Sequence, residues 1–115
     1  NNRGQASVTK NGNTITLGSD VQKLTLETGN VLSTFAFNTG SGYLYASSSS
    51  SNYLKTETKL SANSSWSVTI AKDGTATVVS QGTNNRNTMQ YNQSSSLFSC
   101  YGSASQQAIT LYKLQ

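Results

Sequence analysis

Histidine is absent from this chain. With it go the commonest general base, the imidazole of a Ser/His/Asp triad and the most frequent transition-metal ligand. Cysteine occurs once, as Cys100, so no disulfide forms within the chain and a structural zinc site lacks its ligands. Lying between Ser99 and Tyr101, just beyond Phe98, that thiol reads as a small buried hydrophobe and not as a nucleophile. The only carboxylates are Asp20, Glu27, Glu57 and Asp73. Asp20 and Asp73 fall in turns, and Glu27 and Glu57 fall on strands that are not equivalent, so nothing marks a glycosidase pair or a calcium cluster. No loop matches a P-loop or a dinucleotide fingerprint. The expectation is a chain that is not an enzyme and takes no cofactor and no metal.

Proline is also missing, and no apolar run approaches the length of a membrane-spanning helix, so no membrane span is expected. No segment keeps a helical apolar period. Charged residues make up 10% of the chain, against about a quarter in an ordinary soluble domain. The net charge of +4 comes from eight scattered basic residues and four acids. Tracking phosphates requires clustered cations that release counterions, so nucleic acid is disfavoured as a partner.

Ser, Thr and Asn fill the gap, at about two-fifths of the chain. Six Tyr, three Phe and one Trp, with regularly spaced β-branched residues, argue that it folds. A neutral, hydroxyl-rich surface is common on secreted β-proteins, which places the chain outside the cell or on its surface. It opens on Asn1 and not on Met, so a processed or excised piece of a larger exported protein is expected. Residues 1–115 are read as one module.

Turn signals recur every 8–12 residues, the spacing of a β-sandwich or barrel. Segments 6–10 and 14–17 flank Asn11-Gly12, which predicts a type I′ hairpin turn, and Asp73-Gly74 predicts a second hairpin turn between 65–70 and 75–79. Further strands are predicted at 21–27, 31–37, 43–46, 52–57, 87–92, 97–101 and 108–114, with the serine run 47–51 as a solvated loop. Segments 34–70 and 75–114 resemble one another: each reads as four short strands with a Gly turn and a Ser loop. The first third resembles a copy lacking its opening strand or two. Repeats of this kind predict a β-trefoil-like small barrel with a truncated first repeat, another barrel or a sandwich being the alternative. Alternation assigns the core to Ile15, Leu17, Leu24, Leu26, Phe35, Phe37, Trp66, Val68, Ile70, Phe98, Cys100, Ile109 and Leu111.

The run Gly42-Tyr43-Leu44-Tyr45, through the serines 47–51, to Asn52-Tyr53-Leu54-Lys55-Thr56-Glu57 resembles an accessory domain of secreted and surface multidomain proteins of gut Bacteroidetes. So do 60–66, 82–92 and 94–101. The resemblance implies an accessory module with no assigned catalytic residues. It also implies that further residues precede Asn1, so the partners expected are neighbouring domains of the parent chain or that missing upstream segment.

Sugars are held by an aromatic face against their C–H groups, and by planar amides or guanidinium groups that offer paired donors and acceptors to neighbouring hydroxyls. Asn84, Asn85, Arg86, Asn87, Tyr91, Asn92 and Tyr101 supply that vocabulary in one stretch, and Tyr43, Tyr45, Asn52 and Tyr53 supply it at the corresponding place in the preceding repeat. A carbohydrate-binding or surface-attachment module is therefore expected. The alternative is a structural or protein-contact domain, in which the same Asn cluster satisfies loop backbone.

Overall fold

The computed structural model describes residues 3–114. Twelve strands run in order: β1 (Arg3–Gly4), β2 (Thr9–Asn11), β3 (Thr14–Thr16), β4 (Thr25–Thr28), β5 (Phe35–Asn38), β6 (Tyr43–Ala46), β7 (Leu54–Glu57), β8 (Trp66–Ile70), β9 (Thr75–Ser80), β10 (Thr88–Asn92), β11 (Leu97–Tyr101) and β12 (Ile109–Thr110). A 3-10 turn, Ala62–Ser64, precedes β8. The chain is all-β, as its alternation predicts, and every strand pairing is antiparallel.

Pairing recurs along the chain. Within 35–70 the outer strands β5 and β8 pair and enclose the hairpin β6–β7. Within 75–110 the outer strands β9 and β12 pair and enclose the hairpin β10–β11. The closing strand of one unit pairs with the opening strand of the next, as β4 does with β5 and β8 with β9. The first unit departs from the scheme: among the described residues β1 pairs with β11 and not with β4, and β2–β3 stands as a separate two-stranded sheet. β7 curls back to lie beside β11. The result is a nearly closed, barrel-like antiparallel sheet.

The first tight turn differs from the predicted type I′, and the second joins β8 to β9 as the predicted hairpin. Register pairs Asn11 with Thr14, so the first loop is Gly12-Asn13, and only Gly12 takes a positive φ (62°). That is the geometry in which glycine comes first, type II′. In the second turn Gly74 (φ 91°) donates its N–H to the Ala71 carbonyl at 3.0 Å, and Asp73 Oδ1 accepts from the Thr75 amide at 3.0 Å and its hydroxyl at 2.7 Å. Its left-handed glycine therefore comes last in a longer loop.

One sheet face carries the core. Register aligns Leu26 with Phe37, Phe35 with Trp66, Val68 with Val78, and Ile70 with Ala76, which in turn faces Ile109. At its centre Phe37, Trp66, Val78 and Ile109 are buried, joined by Leu44, Ala46, Leu54, Met89 and Cys100. Trp66 meets Phe37 edge-on (centroids 6.5 Å apart, 60° between planes) and donates its indole N–H to the Leu44 carbonyl at 3.0 Å. Burial pushes the Cys100 thiol up to about 12, which leaves it protonated and unreactive.

The expected core needs correction at its margins. Leu24, Leu26, Phe35, Ile70 and Leu111 are exposed: Phe35 opens β5, Ile70 closes β8, Leu24 and Leu111 lie just outside β4 and β12, and Leu26 stands on β4, which among the described residues pairs on one side only. Ile15 and Leu17 are only half-buried on or beside the detached hairpin, and Val68 and Phe98 are partly buried against the core. Serines take part of the interior instead. Ser64, Ser65, Ser80 and Ser99 are buried; Ser65 Oγ donates to the Ser61 carbonyl at 2.7 Å and Ser80 Oγ to the Asn63 carbonyl at 2.9 Å. The hydroxyl-rich composition is thus an interior as well as a surface property.

Candidate functional site

The hairpin β10–β11 carries its apolar face outward from the core. Met89 and Cys100 face each other in the buried part, and two residues further on Tyr91 faces Phe98, their ring centroids 4.9 Å apart. On the opposite face Gln90 is buried, and its amide fastens the loop that follows β11: Nε2 donates to the Ser103 carbonyl at 2.9 Å and Oε1 accepts from the Gln106 amide at 2.8 Å. The loop therefore arrives in register with β10, where Tyr91 and Gln107 exchange both backbone hydrogen bonds at 3.0 Å. β1, paired along β11, brings Gln5 to the other side, and the Tyr91 hydroxyl bonds Gln5 Oε1.

These segments enclose an open cleft of about 310 Å³, lined by Gln5, Ala6, Tyr91, Phe98, Gln107, Ala108, Ile109, Thr110 and Tyr112. Three aromatic rings and two side-chain amides line it, and no Asp, Glu, Lys or Arg does. An uncharged apolar cleft with a few amides offers stacking surface and hydrogen bonds to a neutral polar ligand and no acid–base pair.

Of the residues marked in the sequence, only Tyr91 stands in the cleft. Asn84, Asn85 and Arg86 come together elsewhere, where the 82–87 loop meets the serine loop. Asn84 Nδ2 donates to the Ala46 carbonyl at 2.8 Å and its Oδ1 accepts from Ser49 Oγ at 3.2 Å; the Asn85 amide donates to the same Ser49 Oγ at 3.2 Å. Arg86 Nη1 donates to Asn52 Oδ1 at 2.6 Å. The Asn87 carbonyl accepts from the Ser80 amide at 2.8 Å. Asn92 Nδ2 donates to the hydroxyl of buried Tyr101 at 3.1 Å while its Oδ1 caps the turn at Ser95. In the preceding unit, Tyr43 donates to Glu27 Oε1 at 3.2 Å, a bond that raises the phenol above its ordinary value, with the carboxylate's charge adding to it. Tyr53 is exposed beneath the Lys55 ammonium, 4.8 Å from its centroid, and Tyr45 is half-buried opposite Lys55 in the register.

Glu27, Glu57 and Asp73 are engaged apart from one another. Glu27 Oε2 accepts from Asn38 at 2.6 Å, and Glu57 Oε1 accepts from Ser61 and Ser64 hydroxyls at 2.5 and 2.8 Å, tying β7 to the 3-10 turn. Thr75's hydroxyl and amide hold Asp73 below the usual carboxylate range. No group of three His, Cys, Asp or Glu able to hold a metal ion occurs among the described residues.

Sequence reasoning missed Gln5, Gln107 and Tyr112 and assigned Phe98 to the core. The antiparallel register of 88–92 on 97–101 was the available signal, since it sets Phe98 across from Tyr91. No helix of the described residues is long and apolar enough to cross a membrane. Comparison of the chain with family models, curated proteins and solved structures finds no match.

Proposed function

We propose that this chain is a non-catalytic carbohydrate-binding module that attaches an exported bacterial protein, of the multidomain surface kind its sequence resembles, to a neutral glycan. The observation that carries this proposal is the cleft's lining: Tyr91, Phe98 and Tyr112 beside the amides of Gln5 and Gln107, with no charged side chain. Sugar C–H faces stack on such rings, and paired hydroxyls bond such amides. A ligand without charge gains nothing from cations, so binding is insensitive to salt, unlike phosphate binding.

Affinity electrophoresis through gels loaded with neutral polysaccharides tests it. One of them retards the wild type, and Tyr112→Ala, at an exposed ring, weakens that retardation about tenfold, the loss of about 1.4 kcal/mol of stacking, without changing the fold. A folded protein that no polysaccharide retards, or one whose retardation Tyr112→Ala leaves unchanged, refutes the assignment. The exposed Leu24, just ahead of β4, and Leu26 within it favour the second reading, a protein-contact module, in the first of those cases.

A further inference from the structure

The uncovered end of the sheet lies at β4. This strand pairs with β5 along one edge; among the described residues no strand pairs with its other edge, from which alternate N–H and C=O groups point outward. The segment reads Lys23-Leu24-Thr25-Leu26-Glu27, and all but the half-buried Glu27 are exposed. Leu26 lies on the face that carries Phe37, directly across from it, and Leu24, just ahead of the strand, continues its alternation in sequence. Glu27 lies on the other face, where Asn38 and Tyr43 bond its carboxylate, and Lys23, two residues ahead of Thr25, continues that alternation in sequence.

Turned antiparallel about Thr25, this segment is its own complement. Lys23 meets the second copy's Glu27, Leu24 meets Leu26, and Thr25 meets Thr25. We propose that the protein forms a two-fold symmetric dimer by pairing β4 edge to edge with β4 of a second copy. Symmetry makes both ion pairs and both leucine pairs form at once, the charges on one face and the apolar pairs continuing the core face across the axis. The contact shares no residue with the cleft, which is lined from β10, β11, β12 with its flanking residues, and the segment after β1.

Sedimentation velocity over a concentration series tests this on the whole chain. The native protein forms a reversible dimer. Lys23→Glu sets like charges across the axis twice and weakens the dimer at least about tenfold, with an unchanged circular dichroism spectrum. Leu24→Lys, at an exposed position, weakens it likewise. An equimolar mixture of Lys23→Glu and Glu27→Lys dimerises again, because every lysine then faces a glutamate; this arm reports register, and the two single variants stand without it if Glu27→Lys fails to fold. A native protein that stays monomeric up to millimolar concentration overturns the proposal. So does a dimer that neither Lys23→Glu nor Leu24→Lys weakens.

Discussion

β4 and β6 are both four residues long and both alternate, yet they end in opposite environments. β6 buries Leu44 and Ala46 at 3% and 0% exposure, while β4 leaves Leu26 at 58%. The difference is in their neighbours. β6 sits between β5 and β7 with Trp66 bonded to its Leu44 carbonyl, whereas among the described residues β4 pairs with β5 alone. Alternation decides which face a side chain joins; the number of strands around that face decides whether water leaves it.

The largest effects test that contrast directly. Trp66→Ala removes the central ring and the donor to Leu44, and costs about 3–5 kcal/mol in urea denaturation. Leu54→Ala, at a fully buried leucine of β7, costs about 2–5 kcal/mol, whereas Leu26→Ala costs less than about 1 kcal/mol when measured on the monomer. Equal losses at Leu54 and Leu26 would mean that the β4 end is covered after all.

The next prediction concerns the loop clamp, intermediate between the two regions in burial. Arg86→Ala breaks the bond to Asn52 and costs about 1.5 kcal/mol, while leaving retardation by polysaccharide unaltered. Loss of glycan binding with full stability would move the site from the cleft to this loop. The smallest effect is at the exposed turn. Its two bonds from Thr75 keep Asp73 ionised below the ordinary 3.8, so this carboxylate's contribution is present above that pH and is lost as pH falls through the folded value. Asp73→Asn should flatten the acid limb of the stability profile slightly and leave its neutral plateau intact.

These contrasts also explain how much was legible in the sequence. Alternation around Trp66, Val68 and Val78, punctuated by Gly12 and Gly74, specifies strands of an all-β, barrel-like sheet and the face each side chain joins, whereas the trefoil repeat itself is not established by the pairing. Coverage was not legible, because it depends on strand neighbours distant in sequence; hence Leu24, Phe35 and Ile70 were placed inside. The cleft was hidden for the same reason. Gln5, Tyr91 and Gln107 come from three separate segments, joined by backbone pairing that leaves no local trace. The dense Asn84–Asn85–Arg86 run is conspicuous in sequence, but in space its polar groups secure neighbouring loops.

The buried serines have a thermal consequence. Unfolding wets the hydroxyls of Ser64, Ser65, Ser80 and Ser99 together with the carbon around them, and hydration of polar surface lowers heat capacity where apolar surface raises it. The heat-capacity increment per residue is therefore smaller than for an interior of leucine and valine alone. Stability follows a shallow arc with temperature, and this protein weakens little on chilling.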